Sequence, residues 1–529
     1  MGIYLNPGNS GFQMIRNSTY VDKTGLIDFI NSTINTPRRL TCFSRPRRFG
    51  KSFAAKTLCA YYDRSCDSRA LFEGLNISGM KSCEKYRNQF NVIYIDITWF
   101  LSLTKEKKNL VSDIQTRVIR ELRETFSGCV SEREDALQQA LFDVSESTGI
   151  KFIIIIDEWD ALFREAKDDD ALQKEYIQLL RGLFKGGTAT DDSIAAAYMT
   201  GILPVKKYGT ESALTDFQEY TMTEPDAMAE YIGFTEDEVR ALCEENHVDF
   251  TEMKSWYDGY SFEGFASVYN PNSVISAIWR KSFRSYWTKS ETYESLKNYI
   301  SMNFDGLRDS IIAMLSGQRA DVDTDTFQND MTSFESRDDV LTLLIHLGYL
   351  AYDQEDSEVY IPNREVADAF RTAVKTTDWQ GVSRLLADSE SLLKATLRGD
   401  AETVAAALEL AHESNASLLK YNDENSLSCA ITLAYYTARN YYEIIRELPS
   451  GKGFADMAFI PHRNTDKPAM VIELKYDKDA DTAIRQIKDN RYTGCLKDFA
   501  GNLLLVGVNY DKDADGKEKK HHTCIIEKI

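Results

Sequence analysis

The chain has 529 residues and a net charge of −20, and 43% of its residues are hydrophobic. This composition is typical of a well-packed globular protein and excludes a disordered one, while the length indicates about three domains. The acidic balance also excludes a protein that coats nucleic acid by bulk electrostatics, so any nucleic-acid contact must be a local groove.

Neither a signal peptide nor a membrane helix is predicted. The N-terminus lacks a charged segment followed by an apolar one, and no apolar run approaches the roughly 18 residues that span a bilayer. Nine scattered cysteines without C-x-x-C pairs are typical of reduced thiols. We therefore expect a cytoplasmic protein without membrane contact.

The first chemical motif is a predicted phosphate-binding loop. A short buried strand at 40–43 and a helix at 53–61 flank it. In such a loop, backbone N–H groups and the helix N-terminus hold the anion, Lys51 reaches the β- and γ-phosphates, and the Ser52 hydroxyl ligates Mg²⁺. The nucleotide-binding residues predicted in this loop are Arg47, Arg48, Phe49, Gly50, Lys51 and Ser52.

The loop departs from the usual pattern at its start. Arg45 stands where the first glycine is expected, and Pro46 removes one backbone donor. We expect Arg45, Arg47 and Arg48 to place compensating cations beside the phosphates. The alternative, in which Arg47 or Arg48 serves a neighbouring subunit of a homo-oligomer, stays open.

An acidic strand end supports the same site. The β-branched run at 152–156 predicts a central parallel strand that is covered on both faces. Asp157 and Glu158 follow it at the carboxyl edge, where α/β sheets bind ligands. We expect Asp157 to hold Mg²⁺ through water and Glu158 to polarise the hydrolytic water. Thr200, after another predicted strand, is expected to contact the γ-phosphate or that water. The alternative is a plain acidic loop.

The middle of the chain, about 216–390, has helical periodicity. A helix at 341–350, a hairpin around acidic residues 353–358 and a helix starting near 363 predict a winged-helix fold. A wing that contacts DNA is normally basic. This acidic wing therefore favours a protein contact or a scaffold role.

Two carboxylates and a lysine approach one another in the C-terminal part. Asp456 lies at the start of one predicted strand, and the next predicted strand spans 469–474. Because side chains alternate along a strand, Glu473 and Lys475 lie on the same face of this second strand. The carboxylates suit Mg²⁺, with Mn²⁺ as an alternative. Lys475 is placed to orient or deprotonate water, or to neutralise a phosphorane. The competing interpretation is a solvated Glu–Lys pair on a surface strand.

This pattern resembles the PD-(D/E)XK nuclease superfamily. The resemblance implies metal-dependent cleavage of phosphodiesters by Asp456, Glu473 and Lys475. It also implies that Gln486 lies in a helix over the site and that Glu424 supplies an additional acid. Residues 451–529 hold 14 Lys and Arg against 13 Asp and Glu, so this part is nearly neutral.

Nearly the whole chain resembles the bacterial AAA-ATPase-like family, whose members often carry such a C-terminal nuclease domain. The resemblance rests on Tyr20-Val21-Asp22-Lys23-Thr24, Arg45-Pro46-Arg47-Arg48-Phe49-Gly50-Lys51-Ser52, Ile156-Asp157-Glu158, Thr200-Gly201-Ile202, Trp256-Tyr257-Asp258-Gly259-Tyr260 and Tyr269-Asn270-Pro271. It implies a nucleotide-controlled nuclease that uses ATP and Mg²⁺, with DNA favoured over RNA as the substrate.

We therefore predict an α/β protein of three parts. These are a P-loop NTPase domain with a parallel sheet at 1–215, a helical and winged-helix middle region at 216–390, and a PD-(D/E)XK nuclease-like α/β domain at 391–529. Two alternatives stay open. One is a nucleotide-binding regulatory or assembly protein with an inactive nuclease domain, and the other is a nuclease on a degenerate ATPase scaffold.

Overall fold

The computed structural model divides the chain into two compact units, 1–291 with 319–367, and 292–318 with 368–529. It describes residues 2–529 except 206, 209–210, 213, 263, 288–292, 303, 329–333, 378, 416–423, 451–452, 463–464, 490–495, 497–498, 500 and 512–520. The boundaries of the three predicted domains stay a prediction.

The N-terminal sheet is parallel, with the strand order β2-β3-β4-β1-β7. Its strands, and a separate pair β5–β6, are β1 (Leu40–Ser44), β2 (Asn91–Asp96), β3 (Phe152–Asp157), β4 (Ile194–Gly201), β5 (Lys207–Tyr208), β6 (Glu211–Ser212) and β7 (Gln218–Tyr220). Every residue of β1, β3 and β4 is buried, as expected for central strands covered on both faces.

Helices surround this sheet. They are α1 (Ser10–Arg16), α2 (Gly25–Thr33), α3 (Lys51–Tyr62), α4 (Arg69–Phe72), α5 (Cys83–Tyr86), α6 (Ile97–Leu103), α7 (Leu110–Thr125), α8 (Leu137–Thr148), α9 (Ala161–Glu165), α10 (Asp170–Phe184) and α11 (Thr188–Ser193). The apolar stripe of α7, with Ile114, Val118 and Leu122, joins the same core as Ile154 of β3. Because the strands are parallel, their carboxyl ends meet at one common edge of the sheet.

The middle of the chain forms smaller elements. They are β8 (Phe234–Thr235), α12 (Glu236–Asn246), α13 (Phe250–Tyr257), β9 (Tyr260–Phe262), β10 (Phe265–Tyr269), α14 (Pro271–Arg280), α15 (Tyr293–Ile300), α16 (Leu307–Leu315), β11 (Ala320–Asp321), α17 (Arg337–Leu347), β12 (Ala351–Asp353), β13 (Glu358–Tyr360) and α18 (Arg364–Lys375). A capping box of Thr235 and Glu238 starts α12, and Asn270 caps α14 ahead of Pro271.

The predicted order of helix, hairpin and helix is present between α17 and α18. Strands β12 and β13 pair antiparallel, and β11 adds a third strand beside β13. The acidic hairpin is partly neutralised, because Arg319 pairs with Asp353 at 2.6 Å and with Glu358 at 3.4 Å.

The second unit is built around a five-stranded sheet. Its later elements are α19 (Gln380–Arg398), α20 (Ala401–Asn415), α21 (Glu424–Ala434), β14 (Tyr442–Ser450), β15 (Gly453–Pro461), β16 (Ala469–Tyr476), α22 (Ala480–Asp489), β17 (Leu503–Tyr510) and β18 (His522–Lys528). The strands lie in chain order, and only β16 and β17 are parallel.

The predicted fold class is thus confirmed: a parallel α/β sheet comes first and a mixed α/β sheet comes last. Within the described part of the chain, no helix combines the length and the apolar character that crossing a bilayer requires.

The burial of β3 leads to a stability prediction. Replacing Ile154, which is buried in the central strand, by Ala should lower the free energy of unfolding by about 2–5 kcal/mol, because the cavity cannot collapse. Ile154→Val should lower it by about 0.5–1.5 kcal/mol. Calorimetry would measure both. A loss after Ile154→Ala no larger than after Met14→Ala, at an exposed site, would contradict this packing.

Candidate functional site

The predicted phosphate-binding loop joins the end of β1 to the start of α3. Gly50 has a φ of 98°, a left-handed conformation that favours glycine, and a Cβ added there would meet no atom within 4 Å. The Lys51 ammonium donates to the carbonyl oxygens of Arg45 at 2.8 Å and Pro46 at 3.0 Å. Lys51 is therefore folded back onto its own loop, at the N-terminus of a helix.

Arg45 does not contribute a cation to this loop, contrary to the expectation from sequence. Its side chain is fully buried and donates to the carbonyl oxygens of Tyr220 and Thr221 at the end of β7. Burial lowers the pKa of Arg45 to about 9. Arg45 therefore ties β1 to the neighbouring strand instead of facing a ligand.

Asp157 is held at the carboxyl edge of β3 by two hydroxyl groups. Thr200 donates to Oδ1 of Asp157, and Tyr94 donates to Oδ2 at 3.3 Å. Thr200 is itself fully buried and also accepts the backbone N–H of Glu158 at 3.3 Å. In this structure Thr200 orients the acidic residues, whereas the sequence suggested that it faces the phosphate.

Glu158 lies between two cations. Its Oε1 is 3.6 Å from the Lys51 ammonium, and its Oε2 accepts a short hydrogen bond from Arg164. Burial opposes ionisation of Glu158, but Lys51, Arg164 and Arg47 outweigh it and hold the pKa of this carboxyl below its usual value. Glu158 is therefore an ionised and restrained carboxylate.

Arg164 was not identified from the sequence. Its Nε donates to Asp160 at 3.2 Å, and Asp160 in turn accepts the N–H groups of Ile202 and Leu203 just after β4. The only sequence signal was an Asp–Arg pair four residues apart, which is common on helix surfaces. Arg164 thus links Glu158 to the segment that follows Thr200.

A cavity of about 670 Å³ joins these groups. The predicted residues Arg47, Arg48, Phe49, Gly50, Lys51, Ser52, Asp157 and Glu158 line it. Aromatic and aliphatic side chains also line it: Tyr20 and Phe234, together with Ile275 and Trp279, which lie one turn apart on α14. Trp279 is 78% exposed, which is unusual for so large an apolar side chain. The cavity has room for a nucleotide, and these four apolar and aromatic lining residues were not predicted as part of the site.

In the second unit, β15 and β16 bring the predicted nuclease residues together. Met457 pairs with Ile472, which places Asp456 beside Glu473. The carboxylate of Asp456 accepts the Leu474 N–H at 2.6 Å, and the Lys475 ammonium donates to Oε1 of Glu473 at 2.8 Å. The three side chains therefore lie in one cluster; strand alternation predicted the shared face of Glu473 and Lys475, and the pairing of β15 with β16 adds Asp456.

Glu473 is the buried carboxylate of this cluster. It is only 1% exposed, and within the described part of the chain its Oε2 has no hydrogen-bond partner. Burial and the neighbouring Asp456 raise the pKa of Glu473 to about 7, although Lys475 acts against this shift. A buried carboxylate with one unsatisfied oxygen favours the binding of a cation.

A metal ion fits this arrangement with two protein ligands. Among the described residues, no three His, Cys, Asp or Glu side chains converge as a complete metal site. Mg²⁺ commonly binds through one or two carboxylates and keeps several waters, so Asp456 and Glu473 suffice. The unsatisfied Oε2 of Glu473 is the observation that supports this fit.

Gln486 and Glu424 are the other two residues that the sequence predicted for this site. Gln486 lies half-buried on α22. That helix approaches the sheet at Gly507, the register partner of Glu473 on β17, where an added Cβ would lie 2.6 Å from the Ala480 carbonyl oxygen. Glu424 begins α21, but its side chain lies outside the described residues.

Comparisons with known proteins match both parts of the chain. The model of a predicted AAA-ATPase family, AAA-ATPase-like, matches residues 8–210, and that of the PD-(D/E)XK nuclease superfamily matches residues 423–520. An uncharacterized protein in the vnfD 5′ region of Azotobacter chroococcum mcd 1 is 24% identical over 276 residues. That match covers 52% of this chain, and the chain spans about half (51%) of the length of that relative.

Among solved structures, the Aeropyrum pernix ORC2 protein aligns with a TM-score of 0.30 and 12% identity, covering 68% of this chain and 96% of that one. Aeropyrum pernix ORC1, solved in complex with DNA, aligns with a TM-score of 0.26 and 11% identity, covering 70% and 98%. Likenesses at these TM-scores and identities do not indicate a function. The family matches and the geometry together show that the chain combines an N-terminal AAA-ATPase-like domain with a C-terminal domain of the PD-(D/E)XK nuclease superfamily.

Proposed function

We propose that this protein binds and hydrolyses ATP in its N-terminal cavity and cleaves nucleic-acid phosphodiesters at its C-terminal cluster with Mg²⁺. The observation that carries the nuclease proposal is the buried Glu473, whose Oε2 lacks a partner within the described part of the chain while Asp456 and Lys475 lie beside it. Such a perturbed acid next to a second acid and an amine is typical of a functional site.

At the nuclease cluster, Asp456 and Glu473 would hold the metal. When bound, Mg²⁺ supplies charge stabilisation for the scissile phosphate and a more acidic water. Asp456 is kept in position by the Leu474 N–H. The Lys475 ammonium, now on Glu473 and the Leu474 carbonyl, provides donors that can turn to a phosphate oxygen or to the attacking water. We propose that Gln486 helps to orient Lys475.

In the N-terminal cavity, the phosphates would lie at the start of α3. Lys51 would exchange the carbonyl oxygens of its own loop for phosphate oxygens, and Ser52 and Asp157 would lie beside Mg²⁺. Arg47 and Arg48 line the same cavity and add positive charge. Glu158 is the base for hydrolysis, and it must leave Arg164 to accept a proton from water.

The aromatic side chains that line the cavity would contact the nucleobase. Tyr20, Phe234 and Trp279 offer aromatic surfaces there, and aromatic groups pack well against a flat base. DNA is the first nuclease substrate to test and RNA the second. Assays with Mg²⁺ and Mn²⁺, on single- and double-stranded DNA and RNA, with and without ATP, test the combined function directly.

Lys51 provides the test of nucleotide binding. Lys51→Ala should weaken ATP binding about 10–100-fold, because hydrogen bonds to charged groups contribute about 1.5–3 kcal/mol. Isothermal titration calorimetry measures the affinity. Lys56→Ala is the matched control, since Lys56 is an exposed lysine on the same helix. Unchanged affinity in Lys51→Ala would remove the loop from the proposed site.

The nuclease cluster is tested by two substitutions. Glu473→Ala and Lys475→Ala should each lower the cleavage rate at least about 100-fold, because groups that position or deprotonate water contribute about 10²–10⁴-fold. Lys478→Ala, at an exposed lysine after β16, should cleave at the wild-type rate. If all three variants and the wild type cut equally, the assignment fails. A wild type that binds ATP but cuts no substrate would favour the regulatory protein with an inactive nuclease domain.

The pKa of Glu473 gives a prediction for the metal-free protein. Its value of about 7 in the folded protein exceeds the value of about 4.3 in an unfolded chain. Between these values the folded protein binds more protons, so its stability falls as the pH rises. In a buffer that contains a chelator, the melting temperature of the protein should therefore decrease as the pH rises from about 5 to about 8.

Glu473→Gln, which removes the titrating group, should show a smaller decrease over the same pH range. Mg²⁺ should raise the melting temperature of the wild type at the upper end of this range and leave that of the variant nearly unchanged. Thermal unfolding at fixed protein concentration measures both effects. Identical pH profiles for the two proteins would contradict the environment described for Glu473.

A further inference from the structure

Four cations gather in the second unit, away from the nuclease cluster. They are Arg371 and Lys375 at the end of α18, Arg439 in the turn before β14, and Lys467 in the segment between β15 and β16. We call these four residues the basic cluster. Tyr442 pairs with Pro461 at this end of β14 and β15, five residues along β15 from Asp456. At about 3.3 Å per residue, the cluster begins about 17 Å from the metal-binding carboxylates.

Two of these cations lie against one aromatic ring. The guanidinium carbons of Arg371 and Arg439 lie 5.3 Å and 5.1 Å from the centre of the Tyr436 ring, which is almost fully buried. Lys375 follows Arg371 by one helical turn. Partial burial lowers the pKa of Lys375, and the charge of Arg371 lowers it further, while Asp368 acts in the opposite direction. The charges of Arg371 and Lys375 therefore repel each other.

The fourth cation belongs to the same surface. The Lys467 ammonium lies 4.4 Å from the centre of the Tyr441 ring. His462 connects this pair to Arg439, because its backbone N–H donates to the Tyr441 carbonyl at 2.9 Å and its Nε2 is 3.4 Å from the Arg439 carbonyl oxygen. Half-buried Tyr441 and Lys467 thus continue the basic cluster along the surface.

The basic cluster has no acidic counterpart in contact with it. Within the described part of the chain, no carboxylate forms an ion pair with any of its four residues. Other cations of the same unit are paired: Arg384 lies 3.7 Å from Asp388, and Lys394 lies 3.3 Å from Glu390. In a chain with a net charge of −20, four cations without an ion-paired carboxylate among the described residues favour the binding of a polyanion.

We infer that the basic cluster binds the phosphodiester backbone of the nucleic acid that the nuclease site cleaves. This inference rests on the proposed nuclease function, because the cluster adjoins the end of β14 and β15, and β15 carries Asp456. A separation of about 17 Å corresponds to about five phosphates along one strand of a duplex. A substrate must therefore extend about five nucleotides from the cleaved bond to contact both places.

Binding measurements on the full chain test this inference. In the Glu473→Gln background, fluorescence anisotropy would follow the binding of labelled single- and double-stranded DNA, and of RNA of the same sequence, at several salt concentrations. Lys467→Gln and Lys375→Gln should each weaken binding about tenfold near 0.1 M salt and reduce the salt slope by about one. Arg439→Gln should act similarly.

Matched controls separate this effect from a general change of charge. Arg384→Gln and Lys394→Gln remove one positive charge each from the same unit and should leave affinity and salt slope unchanged. Because Arg439 packs on a buried ring, the half-buried Lys467 and the exposed Lys375 keep the test valid if Arg439→Gln loses stability in a melting control. Cluster variants that bind like these controls would overturn the inference.

The inference and the proposed function fail in different ways. If the wild type cleaves nucleic acid but the cluster variants bind and cleave as it does, only the inference is wrong. If the wild type binds without cleaving and the cluster variants lose that binding, the binding surface stands and the nuclease proposal is wrong. Wild-type protein that neither binds nor cleaves would overturn both.

Discussion

The burial of Glu473 beside Asp456 is the constraint on which the C-terminal site depends. Taking one carboxylate out of water next to another is unfavourable unless a cation compensates for it. Lys475 satisfies one oxygen of Glu473, and within the described residues the other oxygen has no partner. The sheet enforces this crowding, since β15 and β16 fix the register and α22 closes over Gly507. The strand pairing thus holds two carboxylates close together, and a divalent cation bound between them would offset their repulsion.

In the N-terminal cavity, the partly buried Glu158 has the opposite electrostatic environment. Lys51, Arg164 and Arg47 surround Glu158 and hold its pKa below the usual value, whereas the pKa of Glu473 is raised. Glu158 is therefore charged but restrained, whereas Glu473 in the metal-free protein is ionised only in part near pH 7. The pKa values of Glu158 and Glu473 shift in opposite directions because cations surround Glu158, whereas a second carboxylate lies beside Glu473.

Local patterns were sufficient to predict much of both sites. The β-branched run of β3, the Gly50-Lys51-Ser52 sequence and the alternation of Glu473 and Lys475 each depend on neighbouring residues, and the structure has these elements where they were expected. Arg45 and Arg164 could not be placed in this way. Arg45 contacts carbonyl oxygens at the end of β7, and Arg164 bridges Glu158 and Asp160. The position of Arg45 depends on a segment far away in the chain, and the local sequence gives no sign of either contact.

The order of the chain through its two units has a consequence for how the protein is made and dissected. The second unit takes residues 292–318 before the chain returns to complete the first unit at 319–367. Its helix α16 then receives a contact from a much later residue, since Arg439 donates to the Leu315 carbonyl oxygen at 3.3 Å. Neither unit is therefore a continuous stretch of polypeptide. A ribosome must release most of the chain before the first unit is complete, and a recombinant C-terminal fragment would lack two helices of its own unit.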